Sequence, residues 1–158
     1  MPDRVPMRPS GYATLEAELK RLKGVERHKI VKEIEIARAH GDISENAEFH
    51  AAKERQSHIE GRITQLEDRL ARAQVIDATG QNPDAVRFGA TVRLTDAESG
   101  DEVTYTIVGE DESDVSKGLI SVGSPIARAL LGKPVDEFVT VQVPRGSRSF
   151  EIRSIRFE

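Results

Sequence analysis

The chain has 158 residues, 37% of them apolar and 32% charged, a composition that suits one large or two small soluble domains with modest cores. It contains no cysteine, which excludes a disulfide framework and any thiolate metal site and fits a reducing cytoplasm. The segment MPDRVPMRPSGY has no apolar leader, no run approaches the roughly 18 apolar residues of a membrane span, and the net charge of −4 argues against a general nucleic-acid binder.

The first predicted element is helical. Leu15, Leu19 and Leu22 begin an apolar seam that breaks off in a polar stretch to His28 and resumes at Ile30, Ile34 and Ala37, an eight-residue step in an otherwise three-four spacing. A bend follows at HGDIS. Beyond it Phe49, Ala52, Gln56, Ile59, Ile63, Leu66, Leu70 and Ala73 recur alternately three and four apart, which is a coiled-coil face. The connection is short, so the two helices are expected to lie antiparallel. At about 1.5 Å per residue, a helix of about 28 residues would project on the order of 40 Å.

Composition changes near residue 80. Glu, Lys, Arg, Ala and Leu dominate before it, with Tyr12 and Phe49 the sole aromatics; Val, Thr, Ile and Phe separated by turn residues follow it. ATGQNPDAVRFG reads as the linker. Two domains are predicted, a coiled-coil hairpin over residues 1–80 with an acidic tip at 41–48, and a globular domain over residues 81–158.

In the second domain ATVRLT from Ala90, EVTYTIV from Glu102, LISV from Leu119, EFVTVQV from Glu137 and FEIRSI from Phe150 read as strands. Ser124 followed by Pro125 starts a short helix that Gly132 can close, and the turn at 144–147 suits a hairpin between the last two strands. The fold class is therefore α+β: an antiparallel helical hairpin, then a small, mostly antiparallel sheet with one helix.

The candidate chemistry lies at the bend. Asp42 and Glu45 are two carboxylates beside Gly41, and Asp42-Ile43-Ser44-Glu45 also matches a capping box with Asp in place of Ser or Thr. In that arrangement Asp42 accepts from the N–H of Glu45, and Glu45 reaches back to the N–H of Asp42. Glu48 is accounted for by the helix dipole and Asn46 by a cap or turn. Metal binding and helix capping both explain the acids at this stage. The four histidines, His28, His40, His50 and His58, show no zinc spacing, and no phosphate-loop or nucleophile-elbow string occurs.

The run ARAHGDISENAEFHAAKE from Ala37, IEGRITQLEDRLARAQVID from Ile59 and SPIARALLGK from Ser124 resemble the bacterial Gre transcript cleavage factors over nearly the whole chain. HAAKERQ from His50 and FGATVRL from Phe88 are similar to the GreA branch of that family. The resemblance implies a second domain like the FK506-binding-protein fold. It also implies a monomeric, cytoplasmic factor that is not itself an enzyme. Such a factor inserts its coiled coil through the secondary channel of backtracked bacterial RNA polymerase and stimulates the polymerase's own cleavage of the nascent RNA 3′ end.

Carried over by position, Asp42 and Glu45 would help hold a Mg²⁺ ion shared with the polymerase, with Ser44, Asn46 and Glu48 as supporting tip residues. Mg²⁺ keeps several waters and takes one or two carboxylates beside phosphate oxygens, so two acids complete a site without forming one alone. Arg38 and Lys53, with Arg55 added by proximity, would contact RNA phosphates. Ser124, Pro125, Ile126, Ala127 and Arg128 would lie at or beside the surface docking on the channel rim. Two other readings use the same scaffold: a channel-binding inhibitor of the polymerase, and a coiled-coil adapter or isomerase-like chaperone in which the tip acids are only caps.

Overall fold

The structure is a computed structural model and describes residues 3–157. Its elements are β1 (Val5–Met7), α1 (Pro9–Arg21), a π turn (Leu22–Glu26), α2 (Arg27–Ala39), a 3-10 turn (Ile43–Glu45), α3 (Ala47–Ala71), β2 (Ala73–Val75), β3 (Thr91–Asp96), β4 (Glu102–Val108), β5 (Leu119–Ser121), α4 (Pro125–Leu130), β6 (Phe138–Val143) and β7 (Gly146–Arg156), with two further 3-10 turns between β4 and β5. The mixed α+β architecture is the expected one. No helix among the described residues is long and apolar enough to cross a membrane.

The chain forms two compact units, residues 12–72 and residues 3–11 together with 73–157. In the helical unit Ile30, Ile34, Ala37, Phe49 and Ala52 form one buried cluster, and Leu15, Leu22, Ile63 and Leu66 are buried as well. Flanking this seam, Glu18 pairs with Arg62 at 2.7 Å, Lys23 with Glu67 at 3.3 Å, Arg27 with Glu60 at 2.8 Å and Glu33 with Arg55 at 2.8 Å. From Lys23 through Arg27 to Glu33 the partner numbers fall from 67 through 60 to 55, which is the antiparallel arrangement. Such half-exposed pairs contribute about 0–1 kcal/mol each, so register comes mainly from the seam.

The π turn explains the eight-residue step. At about 100° per residue, eight residues of α-helix would rotate Ile30 some 80° away from Leu22, whereas seven nearly close two turns. One residue taken up in the wider turn Leu22–Glu26 restores the face, and Leu22 and Ile30 are both buried. Gly24 lies within that turn and has open space around it.

In the other unit the five-stranded order is β5-β4-β3-β7-β6, antiparallel throughout except for the parallel pair β4 and β5. Val92, Leu94, Ile107, Leu130 and Ile152 are wholly buried in its core, with α4 packed against β6. Pro144 and Arg145 form the two-residue turn between Val143 and Gly146. Asp96 is buried, accepts from the N–H groups of Glu98 and Ser99, and meets Arg148 at 2.7 Å.

β1 pairs with β2 in parallel, bringing Val5 opposite Ala73, a pairing that no sequence pattern predicts. Three-residue strands have too little pattern to stand out, and Met7 and Val5 show their role only in being buried. The Glu112 carboxylate holds this end in place. It accepts from Arg8 Nε at 2.8 Å and from the N–H groups of Arg8 and Gly109 at 3.1 Å each. A Cβ on Gly11 would collide with that carboxyl group, so a larger residue in the first turn of α1 would displace Glu112 from these bonds.

Candidate functional site

At the end of α2 the N–H groups of His40 and Gly41 reach the carbonyls of Ala37 and Arg38 at 3.1 and 3.4 Å. Gly41 then takes φ +128°, a conformation that an L side chain rarely adopts, and redirects the chain. Asp42 follows as the cap of the 3-10 turn. Its Oδ1 accepts from the Ser44 N–H at 3.0 Å and from the Ser44 hydroxyl at 2.9 Å, and these bonds, the hydroxyl's first, hold its carboxyl below the usual carboxylate range. Asp42 is therefore ionised at neutral pH.

The capping box expected for Asp42 and Glu45 is not formed. The Glu45 N–H donates to the backbone carbonyl of Asp42 at 3.3 Å rather than to its side chain, and the Glu45 carboxylate does not return to the Asp42 N–H. A single residue, Asn46, separates the 3-10 turn from α3, so the start of the long helix falls to it instead. Asn46 Oδ1 accepts from the Phe49 N–H at 3.0 Å, and its Nδ2 donates to the Ala37 carbonyl in the last turn of α2. One side chain thus caps α3 and ties it to α2.

The acids are left exposed and largely unengaged. Asp42 Oδ2 and both Glu45 oxygens make no hydrogen bond or ion pair among the described residues, and the same holds for the Glu48 carboxylate in the first turn of α3. With His40, Asn46 and Ala47 these three acids line an open depression of about 470 Å³. Among the described residues no three His, Cys, Asp or Glu side chains are placed to hold a metal ion. The donors at the tip are hard carboxylate oxygens facing water, which fits part of a Mg²⁺ shell but not a whole one.

The basic residues divide. Arg38 lies over the Phe49 ring at 5.7 Å from its centre, a contact that orients the guanidinium while leaving its charge uncompensated. Lys53 Nζ donates to Gln56 Oε1 at 3.2 Å and pairs with no acid among the described residues. Arg55 is paired with Glu33 across the hairpin at 2.8 Å, so its charge is already answered, though by neither acid nearest it in sequence.

In the sheet unit Ser124 caps α4, accepting from the Ala127 N–H at 3.3 Å and donating to the Ser121 carbonyl at 2.7 Å. Pro125 and Arg128 are exposed, Ile126 packs partly on the core, and Ala127 is wholly buried. Ala127 therefore presents no surface to a partner; its place in the expected docking set reflects the helix that Pro125 and Arg128 share with it.

Two family profiles match the chain in succession: "Transcription elongation factor, N-terminal" over residues 5–75 and "Transcription elongation factor, GreA/GreB, C-term" over residues 81–157. Among curated proteins, transcription elongation factor GreA of Anaeromyxobacter sp. (strain K) is 62% identical over 154 residues, covering 98% of this chain and 93% of that protein. The protein of the same name from Hyphomonas neptunium is 55% identical, covering 99% of each. A solved structure described as the transcription factor Gfh1 is 29% identical with a TM-score of 0.47, covering 98% of this chain and 99% of that one.

Proposed function

Because the chain belongs to the GreA/GreB family of transcription elongation factors, we propose that its hairpin tip supplies Asp42 and Glu45 to the active site of RNA polymerase. The chain is a transcription elongation factor that acts on RNA polymerase and activates it rather than being a catalyst itself. The hairpin enters the secondary channel of a backtracked polymerase, and the polymerase then cleaves the 3′ end of its own transcript. The factor works as a monomer in the cytoplasm.

The observation that supports this reading is the division of labour at the bend. Asn46 caps α3, so the oxygens of Glu45 and Asp42 Oδ2 are not needed to build the hairpin. A Mg²⁺ ion held jointly with the polymerase would polarise a phosphate oxygen and lower the pKa of a water beside it. Asp42, fixed by Ser44, presents one oxygen in a set direction, and Glu45 adds a second carboxylate without a competing bond. Arg38 and Lys53 carry uncompensated charge toward RNA phosphates, and Glu48 keeps the tip's potential negative at the start of α3. On the sheet unit Pro125 and Arg128, with Ser124 and part of Ile126, offer the docking surface.

The test is the double substitution Asp42→Asn with Glu45→Gln, which preserves shape and removes both charges. Binding to polymerase and thermal melting are expected to stay as in the wild type, while stimulated cleavage in halted, backtracked complexes falls at least about tenfold. Undiminished cleavage would sink the proposal. A factor that binds but never stimulates cleavage, even with both acids present, is an inhibitor.

A further inference from the structure

We infer that a groove on the hairpin beside the tip is a contact surface for RNA polymerase, with Ile36 as the residue that meets an apolar side chain of the channel wall. The inference rests on the reading above, which places this part of the hairpin inside the polymerase. Ile36 is 62% exposed on α2, one residue away from the buried seam position Ala37. It does not stand on a flat surface. With Ala37 on its own helix and Ala51 and Ala52 on α3 it lines a concavity of about 450 Å³. The small alanines leave the space, and the isoleucine supplies an apolar edge.

Two features make polymerase the occupant. Glu48 borders both this groove and the depression that holds Asp42 and Glu45, so the two surfaces are continuous, and any partner wrapped round the tip extends over Ile36. Ile36 lies five residues before Gly41, about 1.4 helical turns from the bend, within reach of whatever encloses it. The charges also suit one chemistry. The far end is closed by the satisfied pair Glu33 and Arg55, while Glu48 at the near end has no partner among the described residues. An apolar side chain next to a cationic one on the channel wall would complement both.

Affinity of labelled full-length factor for core RNA polymerase, read by fluorescence anisotropy, tests this without reference to cleavage. Covering an exposed isoleucine predicts a roughly five- to twentyfold rise in Kd for Ile36→Ser. Ala51→Gln, which fills the groove and deletes nothing, is expected to weaken binding similarly, and Ile36→Leu to bind as the wild type does. Both weakened variants should keep their Tm within about 2 °C, because neither residue is buried. Unchanged Kd in Ile36→Ser and Ala51→Gln overturns the groove even if the wild type stimulates cleavage. A wild type that binds with these sensitivities but stimulates no cleavage overturns the functional reading and leaves the groove standing.

Discussion

Asn46 donates through Nδ2 to the carbonyl of Ala37, and so the residue that begins α3 also closes the end of α2. The two helices are joined at the bend by an amide that engages one group on each, while Asp42 Oδ2 and the Glu45 carboxylate stay free of that task. Asparagine suits the position because it carries an acceptor and a donor on one short side chain, which aspartate does not.

Asn46→Asp keeps the cap acceptor and loses the donor; Asn46→Ala loses both. Loss of a helix cap costs about 1 kcal/mol, and a hydrogen bond to a half-buried carbonyl a further 0.5–1.5 kcal/mol or so. The helical unit of Asn46→Ala should melt roughly 4–8 °C lower per kcal/mol, followed by circular dichroism at 222 nm, with Asn46→Asp in between. Equal melting of all three proteins would show that the tie carries no weight.

Deleting Gly24 should be tolerated. The π turn Leu22–Glu26 absorbs one residue beyond the seven that keep a seam on one face. A chain one residue shorter can close the same interval as α-helix, and glycine in a helix interior costs about 1 kcal/mol against alanine. The deletion should leave Tm unchanged or higher, whereas inserting an alanine after Gly24 should lower it. A large fall on deletion would mean that the wide turn is itself required.

Asp96 contributes to the acid sensitivity of the sheet unit. The Arg148 guanidinium first, then the N–H groups of Glu98 and Ser99, lower its pKa from the usual carboxylate value to about 2. A depressed folded-state value means that the stabilisation is complete above the unfolded pKa of about 3.9 and drains away as pH falls through about 2. Melting of wild type and Asp96→Asn between pH 6 and 2 should show a gap in Tm that is constant above about pH 5 and closes toward pH 2. A gap independent of pH would assign the effect to packing.

Glu112→Ala removes the acceptor of three donors at once, leaving the N–H groups of Arg8 and Gly109 without it. Each unsatisfied buried donor costs about 1–3 kcal/mol. Amide exchange at Val5 and Met7 should accelerate, since β1 is only three residues long and is held by β2 and this carboxylate. Slow exchange there in Glu112→Ala would show that β1 is anchored by its pairing with β2 alone.

The helical seams up to Leu70, the five strands of the main sheet, the Ser124 cap and the turn before Gly146 are legible because each rests on a local pattern: three-four spacing, alternation, or a residue with one favoured backbone role; Ala73, expected to end the second seam, lies in β2 instead. The capping box fails to form for a local reason too. Asp-x-x-Glu matched the spacing, but the 3-10 turn shifted the helix start by four residues to Asn46, where Asn-x-x-Phe has the same capping geometry. The pairing of Arg55 is not legible in the sequence, because its acid, Glu33, is distant along the chain and adjacent only across the hairpin.

The sequence by itself determined the two kinds of structure, the bend at Gly41 and the presence of Asp42 and Glu45 there, since helix period, strand alternation and turn preference act over a few residues. Tertiary structure decided which groups remain available. Asn46 took the cap, Glu33 neutralised Arg55, Ala127 was buried and Ile36 was left uncovered, because hydrogen bonds, charge pairing and burial are settled between residues that only folding brings together.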